Sequence, residues 1–263
     1  MSERAGIQEA ADRLWAAQSN RRPCAPVRDL LEAGGLDAAY AVQAVNTGRR
    51  LAAGGRLVGR KIGLTSAAVQ NQLGIDRPTW GMLFADMAMP DTPDLPIGAL
   101  IQPKVEAEVA FVLGRDLDVE QPTAADVLRA VDFVVPALEI VDSRVESWNI
   151  RGLDTVADNA SSGLYVLGNA PRSLTGLDLR RCAMALERGG EPVSNGTGAA
   201  CLGHPVNALL WLARTLAKGD RPLKAGDTVL SGALGPMVAA RPGDVFEAHI
   251  EGLGFVRAAF SAA

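Results

Sequence analysis

The fold of this chain is decided by the stretch KVEAEVAFVL at residues 104–113. Apolar side chains alternate there with Glu106 and Glu108, and a period of two residues is typical of a β-strand. A second apolar run, FVVPALEIV at residues 133–141, contains a single acid, Glu139. The two runs therefore predict two strands that together carry three carboxylates.

The regions around these strands predict a mixed fold. The sequence predicts helices over residues 5–18, 38–53, 66–73 and 205–218, and further strands over residues 57–63, 164–167, 227–231, 244–250 and 254–260. This order is typical of an α+β protein, a β-rich body with a helical N-terminal appendage. The proline-rich segment 90–96 predicts the boundary between an N-terminal part, residues 1–90, and the main domain, residues 91–263.

Composition excludes several classes of function. The 263 residues carry a net charge of −4, which gives no basic surface for nucleic acid, and no apolar run is long enough to cross a membrane. The two histidines, His204 and His249, cannot form a three-histidine zinc site. The three cysteines are widely spaced, and free thiols are typical of a reducing compartment. We therefore expect a cytoplasmic protein.

The acids of the two strands form the sharpest candidate site. Glu106 and Glu108 leave the same face of a strand with Cα atoms about 6.5–7 Å apart. Glu139 lies in an apolar run, where an unpaired charge is costly. Three carboxylates without histidine are typical of a site for Mg²⁺ or Mn²⁺. The alternative is that Glu106 and Glu108 face solvent on an edge strand and that Glu139 pairs with an arginine.

Three other segments could contribute to binding or catalysis. Lys61, where a strand runs into a glycine-rich turn, could hold a substrate carboxylate or transfer a proton, or it could simply end the strand in solvent. The polar segment 158–163, which includes Ser161, suits either a binding loop or an ordinary turn. Ser231 and Gly232 follow a strand, and the backbone there could approach a ligand closely.

Seven motifs occur in order over nearly the whole chain. They are KIGLT at residues 61–65, WGMLFADM at 80–87, QPKVEAE at 102–108, PALE at 136–139, TVADNAS at 155–161, CLGHP at 201–205 and GALGPM at 232–237. Together they resemble the hydratase and decarboxylase branch of the fumarylacetoacetate hydrolase superfamily. The resemblance implies a mixed β-sheet rolled on itself, with a smaller N-terminal part.

The resemblance also implies an activity. Enzymes of this branch add water to 2-hydroxypenta-2,4-dienoate in the breakdown of aromatic compounds, which gives 4-hydroxy-2-oxopentanoate. By resemblance, Glu106, Glu108 and Glu139 would bind Mg²⁺ or Mn²⁺, and Lys61 would transfer protons and contact the substrate. Asp76 and Ser161 would position substrate or water. The resemblance further implies a homo-oligomer and association with other enzymes of the pathway.

Three alternatives stay open at this point. A 4-oxalocrotonate decarboxylase would use the same metal chelation to release CO₂. A carbon–carbon bond hydrolase of the superfamily would need a histidine–glutamate dyad ahead of the metal-binding acids, and this chain has no histidine before His204. A non-catalytic scaffold subunit would be expected to lose one of the acids or Lys61, and all four residues are present.

Overall fold

The structure, a computed structural model, describes residues 2–91, 94–219 and 221–262. The helices of these residues are α1 (Glu3–Asn20), α2 (Gly35–Ala52), α3 (Ala67–Leu73), α4 (Ala124–Ala130), α5 (Gly152–Ala157) and α6 (Pro205–Leu216). The strands are β1 (Leu57–Gly63), β2 (Thr79–Phe84), β3 (Ala88–Met89), β4 (Pro103–Leu113), β5 (Val131–Asp142), β6 (Ser162–Leu167), β7 (Ala183–Arg188), β8 (Glu191–Thr197), β9 (Thr228–Leu230), β10 (Val238–Ala239), β11 (Val245–Ile250) and β12 (Gly254–Ala259).

The strands form two sheets. The larger one has the order β2-β1-β9-β4-β5-β6-β3, with β10 paired to β4, and the smaller one has the order β12-β11-β7-β8. The larger sheet is mixed, since β1 with β9 and β3 with β6 are parallel pairs while β4 with β5 is antiparallel. Side chains from both sheets and from α6 form one continuous hydrophobic core. These sheets agree with the predicted α+β class.

The N-terminal helices pack apart from this core. Apolar residues of α1 and α2 form a second cluster with residues of α5, among them Leu14, Val42 and Val156. The larger sheet, however, extends across the predicted boundary at residue 90, because β1 pairs with β9 and β3 pairs with β6. Backbone hydrogen bonds thus tie the strands of the first 90 residues to the main sheet, while α1 and α2 pack outside its core.

Local signals in the sequence set several helix ends. The Ser66 hydroxyl accepts a hydrogen bond from the Val69 N–H at the start of α3, and the imidazole of His204 accepts one from the Val206 N–H at the start of α6. No sequence pattern predicted β2, β3, α5, β10 or the hairpin of β7 and β8. Gly189 and Gly190 form the hairpin turn, both with positive φ (59° and 86°). None of the helices in the described residues is long and apolar enough to cross a membrane.

Candidate active site

Strand pairing brings the three predicted acids together. Glu106 on β4 lies directly opposite Glu139 on β5, and Glu108 follows two residues along β4 on the same face. Each carboxylate offers an oxygen within 4.8 Å of the oxygens of the other two. The three oxygens converge closely enough to hold one divalent cation.

The electrostatics of this cluster favour a cation. Glu108 is 0% exposed and Glu139 is 1% exposed. Burial and the charge of Glu139 raise the pKa of Glu106 to about 7 and the pKa of Glu108 well above its ordinary value. Burial also raises the pKa of Glu139, although Lys61 opposes this shift. Glu108 Oε1 and Glu139 Oε2 are buried without a hydrogen-bond partner, so ionised acids here need positive charge.

Lys61 supplies part of that charge from a neighbouring strand. Its Nζ lies 3.0 Å from Glu139 Oε1, and the side chain is only 3% exposed. Burial by itself would lower the pKa of Lys61, but Glu139, Glu106 and Glu108 outweigh it, and the net pKa is raised. The amine is therefore an ammonium group at neutral pH, able to hold an anion or to donate a proton.

A cavity of about 480 Å³ opens onto Lys61 and Glu106. Its polar lining includes the hydroxyls of Thr65, Thr155 and Ser161. Much of the remaining wall is apolar and comprises Leu64, Val69, Leu73, Val141, Trp148, Ile150, Pro236 and Met237. A cavity with a few converging polar groups and an apolar wall is typical of a small-molecule site.

A strained loop places Ser161 in this cavity. Residues 159–161 all have left-handed backbone conformations, with φ of 54°, 52° and 55°. The Ser161 hydroxyl lies 3.1 Å from the Thr155 hydroxyl. Behind the loop, the buried guanidinium of Arg144 donates to the carboxylate and carbonyl of Asp158 and to the carbonyl of Ser162. Such strain persists only where the surroundings enforce it.

The structure places the remaining predicted residues outside the cavity. Asp76 is 77% exposed on its side chain and pairs with its neighbour Arg77. The chain turns at Gly74, which has a φ of 71° and ends α3, and Ile75 packs under Gly152, so Asp76 points to solvent. The predicted role of Asp76 at the substrate is therefore not supported by its position.

Ser231 and Gly232 support the carboxylate cluster from behind instead of facing the cavity. The Ser231 hydroxyl is 0% exposed; it accepts from the Val109 N–H and donates to the Gly232 carbonyl. The Gly232 N–H donates to Glu108 Oε2 at 2.7 Å. Gly232 has a φ of 108°, and a Cβ atom there would lie 2.5 Å from Thr65 Cγ2. The glycine thus allows the backbone to reach Glu108.

Sequence reasoning missed three residues of this region. Thr155 and Trp148 line the cavity, and Arg144 anchors the loop that carries Ser161. A weak signal existed for Arg144, since it lies three residues after the apolar strand 133–141, where a buried charge needs a partner. Trp148 carried no local signal, because its segment has no regular periodicity.

Comparisons with known proteins agree with this architecture. The family model for the fumarylacetoacetate hydrolase C-terminal domain matches residues 64–261. A 2-keto-4-pentenoate hydratase from Paraburkholderia xenovorans (strain LB400) is 60% identical over 253 residues, which cover 96% of this chain and 94% of that protein. A 2-hydroxyhexa-2,4-dienoate hydratase from Comamonas testosteroni is 41% identical over 256 residues, 97% of each chain.

The structural comparison extends over the same length. The solved structure of 4-oxalocrotonate decarboxylase from Pseudomonas putida G7, in complex with magnesium and adipate, has a TM-score of 0.92 to this chain. It is 34% identical and covers 99% of this chain and 98% of its own. The fold that the sequence motifs implied is thereby confirmed.

Proposed function

The chain belongs to the fumarylacetoacetate hydrolase family, and from that premise we propose that it is a hydro-lyase of aromatic catabolism that adds water to 2-hydroxypenta-2,4-dienoate. The product would be 4-hydroxy-2-oxopentanoate. The observation that carries the proposal is the convergence of Glu106, Glu108 and Glu139 beside the ammonium group of Lys61 in a cavity whose wall is largely apolar.

The residues present fit a hard divalent cation. Glu106, Glu108 and Glu139 would hold Mg²⁺ or Mn²⁺, because carboxylate oxygens are the ligands that these ions prefer. Glu108 Oε1 and Glu139 Oε2 are buried without a hydrogen-bond partner. A bound cation would neutralise these oxygens. When bound, the ion would supply Lewis-acid polarisation of the substrate's C2 oxygen.

The chain's own groups account for the remaining requirements of the reaction. The reaction replaces the proton of the C2 hydroxyl by a proton at C5, and the elements of water then add as hydroxyl at C4 and hydrogen at C3. Lys61 lies beside the carboxylates as an ammonium group, and we assign it the binding of the substrate carboxylate and proton transfer. The paired hydroxyls of Ser161 and Thr155 would orient substrate or water. The apolar wall would exclude bulk water from the reacting atoms.

The test is a hydration assay with metal-stripped protein. Restored with Mg²⁺ or Mn²⁺, the protein should consume 2-hydroxypenta-2,4-dienoate, which is followed as loss of dienol absorbance. Glu106→Gln should lose both metal and activity, while the exposed Glu191→Gln should retain both. If the protein shows no turnover with Mg²⁺ and none with Mn²⁺, the proposal is overturned.

A second assay tests the decarboxylase alternative, which the structural likeness to 4-oxalocrotonate decarboxylase keeps relevant. Release of CO₂ from 2-oxo-3-hexenedioate at a rate comparable to hydration would favour that activity. We further propose a homo-oligomeric enzyme of the cytoplasm, where its three free thiols would stay reduced. The oligomeric state is measured by light scattering on the metal-loaded protein.

A further inference from the structure

We propose, on the basis of the function above, that Trp148 determines which substrate tails the site accepts. Its indole keeps the cavity wall apolar and screens the ammonium group of Lys104 from the cavity. The enzyme should therefore prefer dienoates that carry an uncharged alkyl or aryl group at C5 over dienoates whose tail ends in a carboxylate.

The cavity is larger than the five-carbon substrate requires. At roughly 30 Å³ for each non-hydrogen atom, the share of a water molecule in the liquid, the eight such atoms of 2-hydroxypenta-2,4-dienoate fill at most about 240 Å³. The cavity measures about 480 Å³. The unfilled half is large enough for a short alkyl chain or a phenyl ring at C5.

Much of the cavity wall is apolar. Leu64, Val69 and Leu73 contribute aliphatic groups, and Trp148 and Ile150 continue the wall. Among the described residues that line the cavity, Lys61 is the one cation, and it is already engaged with Glu139. A second carboxylate on the substrate would therefore be desolvated without a partner, which is costly.

Trp148 is held firmly in its position. Its Nε1–H donates to the Gln102 carbonyl at 2.9 Å. Both Ser147 and Trp148 have a φ of 54°, a conformation that residues other than glycine adopt only when their surroundings enforce it. The indole is thus a fixed part of the wall.

Lys104 lies behind this indole. Its Nζ is 4.2 Å from the centroid of the Trp148 ring, within the range of a cation–π contact. Trp148 borders two spaces, the cavity and a separate surface depression, and Lys104 lines only the depression. Removal of the indole would open a path from the cavity to a cation suited to a tail carboxylate.

The experiment compares kcat/KM for three substrates on the metal-loaded enzyme. They are 2-hydroxyhexa-2,4-dienoate, 2-hydroxy-5-phenylpenta-2,4-dienoate and 2-hydroxyhepta-2,4-dienedioate. The native enzyme should favour the two uncharged tails by at least tenfold. Trp148→Ala should shift this ratio at least tenfold towards the dienedioate. Trp148→Phe, which retains an aromatic screen, should keep the native preference.

Lys104→Met distinguishes screening from a simple gain of space. In the Trp148→Ala background it should abolish the gain for the dienedioate, and alone it should leave the native ratio unchanged. An unchanged ratio in Trp148→Ala, or a gain that persists in the double variant, would overturn the inference. Thermal unfolding with Mn²⁺ shows whether each variant is folded.

A separate measurement distinguishes failure of this inference from failure of the proposed function. If the native protein hydrates no dienoate, the function fails. The affinities of Mn²⁺-loaded protein for 2-oxohexanoate and 2-oxoadipate, determined by calorimetry, then test tail selectivity directly. Native protein should bind 2-oxohexanoate more tightly, and equal affinities would refute the role of Trp148.

Discussion

Replacement of Arg144 by alanine should destabilise the protein and displace the loop that carries Ser161. Arg144 is 4% exposed, and Asp158, its partner, is 3% exposed. Its backbone N–H and Nε bind the Asp158 carboxylate, and Nη1 donates to the carbonyls of Asp142 and Ser162 at 2.6 and 2.7 Å. The variant would leave Asp158 Oδ1 and these two carbonyls buried without their side-chain donor, while the backbone N–H of residue 144 would still donate to Asp158 Oδ2.

The size of the effect follows from the burial of the pair. Loss of one partner of a buried ion pair costs about 3–5 kcal/mol. With an unfolding entropy of about 2.1 cal/mol/K per residue, a chain of this length has roughly 0.55 kcal/mol/K, so the Tm should fall by about 5–9 °C. The kcat should also fall, since the left-handed conformations of residues 159–161 would lose their anchor.

The penalty should depend on pH. Burial raises the pKa of Asp158 to about 6, although Arg144 opposes this shift. The carboxyl of an unfolded aspartate has a pKa of about 3.9, so the contribution of Asp158 to stability is greatest below that pH and declines as pH rises through 6. At pH 5 the Asp158 carboxyl in the folded protein is mostly protonated and neutral, so it depends less on the positive charge of Arg144. The loss in Arg144→Ala should therefore be larger at pH 8 than at pH 5.

Thermal unfolding at both pH values, combined with steady-state kinetics, checks these expectations. The matched control is Arg181→Ala, since the Arg181 side chain is 83% exposed and its nearest carboxylate oxygen, on Asp178, lies 3.8 Å away. The control should change stability by less than about 0.5 kcal/mol. If Arg144→Ala loses no more than the control, or loses equally at pH 5 and pH 8, the anchoring argument is refuted.

Three further predictions concern the proposed metal site and its support. Affinity for Mn²⁺ should weaken as pH falls below 7, up to about tenfold per pH unit for each proton displaced, because burial raises the pKa of Glu106 to about 7; calorimetry from pH 6 to pH 8 measures this. Lys61→Met should lower kcat by about 10²–10⁴ while it leaves Mn²⁺ affinity equal or higher, since a positive charge 3.0 Å from Glu139 is removed; kinetics and calorimetry together test it. Gly232→Ala should cost about 2–5 kcal/mol of stability, because the new Cβ would lie 2.5 Å from Thr65 Cγ2 and φ is 108°; denaturant unfolding measures the loss.

The pH dependence has a contradicting outcome, and the two substitutions each have a matched control. A Mn²⁺ affinity that stays constant from pH 6 to pH 8 would contradict the raised pKa of Glu106. Lys224→Met, which removes a half-exposed lysine, should preserve kcat, and full activity in Lys61→Met would exclude the proton-transfer role. Gly243 has a φ of 79°, and a Cβ atom added there would meet no atom within 4 Å, so Gly243→Ala should lose only about 1 kcal/mol; equal losses would mean that crowding by Thr65 is unimportant.

Local sequence determined much of the secondary structure. The alternation over residues 104–113 predicted β4, and Ser66, Thr123 and His204 each begin a helix by accepting a hydrogen bond from a backbone N–H two or three residues later. These features depend on groups only a few residues apart. The acids of the site were also recognisable, because charged residues on an apolar strand require a compensating partner.

Tertiary structure alone decided how the site is assembled. The register of β4 and β5 sets Glu106 opposite Glu139, and the packing of Ile75 under Gly152 turns Asp76 to solvent. The position of Trp148 between the cavity and Lys104 likewise depends on segments distant along the chain. Hydrophobic periodicity and helix capping depend on residues within one or two turns of each other. Strand register, side-chain direction and burial depend on which distant surfaces pack together. The sequence could therefore identify the chemistry of the site but could not place Asp76, Ser231 and Trp148 around it.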